Sequence, residues 1–472
     1  MSLVGQKPRT RRRVMGASVA LAGGAVLAAC GGNATNTAPA SDRPPATIEY
    51  FTHLNARQTE NYQALFVQPF QKAHPKITLN IIPWETGLTK LTVLLAGGTP
   101  PDATWIDRAV AEPWGGKLIR EISDLVKRDK YNVGQFPRAS FEGYCTWRGR
   151  VLSLPNQSGG SWPAMPYNRD LFQQTGATEP PAKWGDASWN AARWLTALQK
   201  TTRTGTTGAA GGAATGAGQA GGGTAPLSYG IGQIGGGVIY YSWSSLWKTA
   251  WLSDDYKTVT SDAPALVEAM EYLVSLTTRH KVMPTATQLK DAFGENSTQN
   301  AFLNGKLAML QVSTGNIFTV ATAVRDRNLP IVFAPLPSFK ITGSSQGMES
   351  NGLPTGSRHP DEAWALVRWS AETPNWAISR GSAPPKVEHF EAWEKEVFGD
   401  LAARVRVDVL RDSLRNAAPP DRLTQLPSFS QMQKEVLDPA LNKLWTGEVG
   451  VAATLKEIKP ALQALVPKEL PA

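Results

Sequence analysis

Three short clusters of donors, acceptors and aromatic faces recur in the first quarter of the chain: His53-Leu54-Asn55-Ala56-Arg57, Trp84-Glu85 and Asp107-Arg108. Side chains of this kind suit capture of a small polar molecule, since amides, carboxylates and guanidinium groups meet hydroxyls while an indole covers an apolar face. The chain holds 16 Trp against 14 Phe, a bias that fits stacking platforms. Covalent chemistry finds less support. The adjacent acids Asp254-Asp255 read as a solvated turn, and no acid/base pair of the glycoside-hydrolase kind is identifiable. His53, His74, His280, His359 and His389 are scattered without the spacing of a zinc helix, so neither a metal nor another cofactor is expected. No Gly-x-Ser-x-Gly nucleophile elbow occurs.

The elements that must position these clusters can be read from periodicity. Ile48 and Tyr50 alternate within Thr47 to Thr52, then Tyr62, Leu65, Phe66 and Phe70 repeat at helical spacing up to Pro75. Ile77, Leu79 and Ile81 alternate again, Leu88, Leu91 and Leu95 form a second helical stripe ended by Gly97-Gly98, and Ala103 to Ile106 supplies a third strand. Strand-helix-strand-helix-strand in so short a stretch predicts an α/β fold with a parallel sheet flanked by helices. In such sheets ligands bind beyond the carboxyl ends of the strands, where all three clusters fall.

Further residues bear on location. Lys7, Arg9, Arg11, Arg12 and Arg13 precede the uncharged run Val14 to Ala29, which is too short for a permanent span and reads as a removable signal, residues 1–29. It closes on Leu27-Ala28-Ala29-Cys30, which resembles the bacterial lipobox. That resemblance implies diacylglyceryl modification of Cys30, cleavage before it and acylation of the new amino terminus, so that the chain is held at an extracytoplasmic membrane surface by lipid. Thr10-Arg11-Arg12-Arg13-Val14-Met15 resembles a twin-arginine export motif, which implies export in the folded state. Residues 30–46 read as the lipidated cysteine and a flexible tether. The net charge of +9 falls to +4 once the five basic residues of the signal are removed, which weakens any case for nucleic acid as a partner. Cys145 is then the one remaining cysteine, expected as a small buried filler. The Thr/Gly/Ala tract over 201–226 reads as a flexible surface insertion without a phosphate-loop lysine.

Several strings then converge on one family. Ala96-Gly97-Gly98-Thr99-Pro100-Pro101-Asp102 with Trp105-Ile106-Asp107-Arg108, Pro166-Tyr167-Asn168-Arg169-Asp170-Leu171-Phe172 with Pro180-Pro181-Ala182-Lys183-Trp184, Phe302 to Met309, and Ser357 to Trp364 occur in the family's order and spacing. Beyond the lipobox the chain resembles the extracellular solute-binding proteins of carbohydrate ABC importers, family 1, which includes maltose-binding proteins. The resemblance implies a two-lobed periplasmic-binding-protein fold of type II form, each lobe a sheet flanked by helices, with a ligand cleft at the hinge. It divides the chain into lobe 1, residues 47–155 plus 336–385, and lobe 2, residues 156–335 plus 386–470. Closure of the lobes on a sugar or small oligosaccharide would present a monomer to the membrane permease subunits.

The same resemblance selects site residues. Val238 to Trp247 resembles a second-lobe stretch that carries stacking aromatics, which points to Tyr240 and Trp243 as platforms. Asn55, Arg57 and Asp107 are expected to make polar contacts, Trp84 and Trp162 to add aromatic surface, and Asn316 to offer an amide where many relatives carry Gly-x-Trp. Trp184, Trp364 and Trp369 are expected in the core, and Met348 to Gly352 as a further rim loop. Two other readings stay open at this point: a lipid-anchored glycoside hydrolase, and a sensor ectodomain that presents a ligand to a receptor.

Overall fold

The computed structural model describes residues 44–53, 60–83, 88–106, 119–158, 164–206, 224–232, 243–344, 347–418 and 420–469. Its first half follows the predicted alternation. Strand β1 (Ala46–Thr52) buries Ile48, Tyr50 and Phe51, and the helical segment after it, a π turn over Gln63–Val67 continued by Gln68–Ala73, inserts Phe66 and Phe70. Strand β2 (Ile77–Pro83) pairs in parallel with β1, the helix Leu88–Ala96 stops at Gly97-Gly98, and β3 (Ala103–Ile106) joins the other side of β1 in parallel. Gly98 sits at φ +70°, the left-handed geometry that ends the helix at low cost.

A small hairpin, β4 (Thr146–Trp147) and β5 (Arg150–Val151), leads into β6 (Ser153–Gln157). The second sheet follows with β7 (Met165–Asn168), β8 (Arg203–Thr206), β9 (Thr224–Ile231), β10 (Leu307–Met309) and β11 (Ile331–Ala334), and the chain then returns as β12 (Glu349–Gly352). The sheet orders are β2-β1-β3-β12-β6 and β11-β7-β10-β9-β8. Two expectations change here. Met348 to Gly352 is not a rim loop: β12 lies between β3 and β6, antiparallel to both, and buried Asn351 accepts from the Tyr50 hydroxyl at 2.7 Å and donates to Ser370 Oγ at 2.8 Å. The tract over 201–226 is narrower than expected because β8 and β9 pair antiparallel at its two ends, leaving 207–223 outside the described residues.

One apolar core gathers residues from Ile48 to Leu154 and from Leu353 to Trp376; two others, against the second sheet, draw on Ala164 to Leu462. Each lobe is thus built from separated pieces of chain. Leu336 packs in the second core with Phe339 and Ile341 against it, so the change of core falls between Ile341 and Leu353, later than a boundary at 336. Trp364 is buried, Trp184 and Trp369 pack half-buried against the cores, and Cys145 is buried with its thiol pushed up to about 12 by that burial.

Motif residues that looked family-specific prove to be joints of the fold. Asp102 is buried; its Oδ2 accepts from Glu49 N at 3.0 Å, and Oδ1 accepts from Arg358 N and His359 N, both at 3.0 Å, and from Ser357 Oγ at 3.2 Å. One carboxylate therefore ties the start of β3 to β1 and to the amino end of the helix Pro360–Glu372, where orphan N–H groups favour an anion. Asn168 caps the helix Arg169–Thr175 by accepting from Leu171 N.

Candidate functional site

The chain passes from the end of β6 at Gln157 to the start of β7 at Met165, and from the end of β11 at Ala334 to the start of β12 at Glu349. Because β7 and β12 run against the parallel strands of their sheets, both passages join carboxyl edge to carboxyl edge. The two sheets consequently present to one another the edges at which α/β folds bind ligands. A third passage, residues 381–386, is buried throughout.

On the first edge, His53 follows β1 and its exposed ring stacks on Trp105, centroids 5.2 Å apart at 24°. Trp105 Nε1 donates to Glu349 Oε2 at 2.8 Å, which brings the first residue of β12 to the same place. Arg380 Nη2 lies 2.9 Å from His53 Nδ1, and guanidinium can only donate, so Nδ1 accepts and the ring proton is assigned to Nε2. Arg380 itself is largely buried against the face of Trp376 at 6.0 Å. Beside this group β6 is bulged: Pro155 pairs with Ser350 and Gln157 with Glu349, leaving Asn156 as the extra residue. Bulges of this kind re-aim side chains at sheet edges.

On the second edge, Gln311 follows β10 and is buried, and the helix Thr314–Arg327 begins three residues later with Asn316 exposed in its first turn. Phe318 of that helix, 43% exposed, packs against the third passage; a Cβ on Gly381, at φ +68°, would meet Phe318 Cβ at 2.8 Å.

Of the residues expected in the site, Asn55, Arg57, Trp84, Asp107, Trp162 and Tyr240 lie outside the described residues, as does Cys30. Trp243 requires a correction. It is fully buried in the second core, stacked on Trp194 at 5.6 Å and 25° and meeting Phe339 at 5.6 Å, so its faces are spent on packing and offer no platform. The structure adds His53, Trp105, Asn156, Gln157, Gln311, Glu349 and Arg380. Three had a signal in the sequence, since His53 opens the first expected cluster, Trp105 stands two residues before the third, and Gln311 interrupts the apolar run Leu307 to Val312 with an amide. Glu349 lies in the stretch Met348 to Gly352 expected as a rim loop, although it reaches the edge as the first residue of β12, and Arg380 had no signal, because it arrives only through the docking of the helix Asn375–Arg380. Asp254, 92% exposed, pairs with Arg422 on the surface, and among the described residues no group of three His, Cys, Asp or Glu side chains could hold a metal ion.

The family model for "Bacterial extracellular solute-binding protein" matches residues 55–375. The chain belongs to that family. Curated relatives are more partial: a putative binding protein of Brucella abortus (strain 2308) and another of Brucella suis biovar 1 (strain 1330) are each 30% identical over 128 residues, 25% of this chain, and the chain spans 28% of their length. Solved structures share the two-lobed fold over most of the chain. An ABC substrate-binding protein of Listeria monocytogenes in complex with cycloalternan aligns with a TM-score of 0.66 at 16% identity, covering 89% of this chain and 98% of that one. The sugar-binding protein MalE of Xanthomonas citri aligns at 0.67 and 15%, covering 89% and 97%, and UgpB of Mycobacterium tuberculosis in complex with glycerophosphocholine at 0.67 and 15%, covering 89% and 98%. The family matched by this chain is described as extracellular, and among the described residues no helix is long and apolar enough to cross a membrane.

Proposed function

We propose that this solute-binding protein captures a sugar or small oligosaccharide between its facing edges and delivers it to the permease of an ABC importer. The observation that carries the carbohydrate reading is the His53–Trp105 pair, an aromatic surface with its exposed ring at the facing edge and collared by Arg380 and Glu349. A sugar ring asks for this combination, an apolar face for its C–H side and charge-assisted partners for its hydroxyls. Asn55, Arg57, Trp84, Asp107, Trp162, Tyr240 and Asn316 extend the same surface in this reading. The hinge closes the lobes around the solute, and no bond in it is made or broken. Lipid on Cys30, with the tether to residue 46, keeps the monomer beside its permease, after export that the Arg11-Arg12-Arg13 run directs through the twin-arginine route.

The test is a thermal-denaturation panel of mono- and oligosaccharides on the purified mature chain. One member at 100 times its dissociation constant should add about 2.7 kcal/mol of stability, and that sugar should be recovered unchanged. Hydrolysis of the sugar would favour an anchored glycosidase instead, and a flat response across the panel would remove carbohydrate as the solute.

A further inference from the structure

Three buried amides at the facing edges carry polar atoms without a hydrogen-bond partner among the described residues. Both polar atoms of Asn156, both of Gln311 and the Oε1 of Gln157 are unpaired, although the residues are only 0%, 6% and 1% exposed. Buried polar groups in folded proteins are nearly always satisfied, so unpaired ones ask for a reason. Elsewhere in this chain buried amides follow the rule: Asn351 uses its amide at both ends and Asn168 caps a helix. The exceptions share a location. Asn156 and Gln157 lie past the lobe boundary expected at 155 but within β6 of the first sheet, at the bulge opposite Glu349 on the first lobe, and Gln311 follows β10 on the second.

We infer that Gln157 and Gln311 are specificity-determining residues that read adjacent hydroxyls of the solute, one glutamine from each lobe, with Asn156 supporting the first. The inference rests on the carbohydrate reading above and deepens it. The amides of Gln311 and Asn156 each hold an unpaired acceptor and an unpaired donor about one hydroxyl spacing apart, so each can accept from one hydroxyl and donate to its neighbour, while the unpaired Oε1 of Gln157 accepts from a further hydroxyl. A vicinal diol of a pyranose or polyol satisfies both, whereas a carboxylate or phosphate offers only acceptors and leaves the amide carbonyl stranded. The pair therefore selects a neutral polyhydroxyl segment at this point of the cleft, and a solute lacking one of the two hydroxyls is rejected because it leaves a buried group unpaired. Placing one reader on each lobe makes full recognition available only when both lobes engage the same solute.

The test combines stability with affinity, using wild type, Gln157→Met and Gln311→Met. Methionine keeps the length of the side chain and removes the unpaired amide. Each variant without sugar should melt no lower than wild type, rising by about 2 °C where the amide was costly, while affinity for the sugar found in the panel falls about tenfold to a hundredfold. Deoxy analogues of that sugar should lose affinity for wild type at one hydroxyl pair and lose none further for the variant that no longer reads it. Gln311→Glu, which keeps shape and acceptors but removes the donor, gives a second reading if the methionine side chain disturbs packing. Variants that bind as tightly as wild type, or that melt several degrees lower without sugar, would overturn the inference. Silence of wild type itself across the panel is a different outcome, which removes the carbohydrate reading together with the pair that depends on it.

Discussion

The carboxyl edge of the first sheet and the aromatic core behind the second use similar side chains for opposite purposes. At the edge, Trp105 gives its indole N–H to Glu349 and one face to His53, whose other ring contact is the Arg380 guanidinium. In the core, Trp194, Trp243, Trp247, Tyr272 and Phe339 stack among themselves, and the indole N–H groups of Trp194 and Trp243 have no partner at all. An aromatic residue after a strand thus says little about binding until its polar collar is known. Where charged and hydrogen-bonding groups converge on the ring, polar partners for a solute stand beside it; where mainly rings converge, as around the fully buried Trp194 and Trp243, the contribution is to stability.

This contrast can be broken by substitution. Removing the joint at Asp102 should have the largest effect, because Asp102→Ala strands the N–H groups of Glu49, Arg358 and His359, at about 1–3 kcal/mol for each buried donor, and denaturant unfolding of the first lobe will register it. Trp243→Ala should cost about 3–5 kcal/mol through the cavity it leaves, with any sugar response at matched temperature kept by the folded fraction; selective loss of affinity at full stability would return Trp243 to the site. Gly143→Ala comes next. A Cβ there would meet Pro420 Cγ at 2.3 Å, on a contact between lobes where Gln425 Nε2 donates to Gly143 O at 2.5 Å and Tyr256 packs edge-on to Trp147. The expected overpacking penalty is about 1–3 kcal/mol, accompanied by a change in the lobe-to-lobe distance measurable by scattering. His53→Ala should lower stability by only about 1 kcal/mol, since the ring is exposed though it accepts from Arg380, and weaken sugar binding by about 1 kcal/mol, or roughly fivefold, in titration calorimetry.

The smallest effect is with pH. Burial raises the Asp421 carboxyl to about 7, against the hydrogen bonds from Leu423 N and Trp251 N and the nearby Arg422 charge. Between its unfolded value and about 7 the folded chain holds a proton that the unfolded chain has lost, so this group makes stability fall as pH rises through that window. His389 acts oppositely: burial first, then Lys386, lower it to about 4, so its contribution is lost as pH falls from its unfolded value toward 4. Asp421→Asn should therefore remove the fall in stability toward neutral pH and leave a curve that declines only on the acid side, at an overall lower level because the amide nitrogen cannot accept from Trp251 N or Leu423 N, as measured by melting temperature against pH.

The first sheet was legible in the sequence because its strands and helices alternate locally: Ile48, Tyr50, Phe66, Phe70, Leu79 and Leu91 all enter the core as periodicity requires. Family strings located joints such as Asp102 and Asn168, whose roles are structural. What the sequence could not display was the return of β12 into the first sheet, since a four-residue strand with Asn351 buried on a polar partner carries no apolar alternation. Glu349 was therefore expected on a loop where it opens a strand, and Arg380 was hidden because the helix Asn375–Arg380 carries it to the edge. Trp243 was misread because an aromatic-rich segment looks the same whether its rings face a solute or one another.

Hydrogen exchange with and without a saturating sugar tests the central claim most directly. Solute capture between the facing edges predicts slowed exchange at His53, from Asn156 to Ser158, from Gln311 to Ile317 and at Glu349, with no change around Trp194, Trp243 and Phe339. Protection confined to the cavity of about 830 Å³ lined by Arg138, Lys248, Tyr256 and Arg422, with the facing edges unaltered, would contradict it.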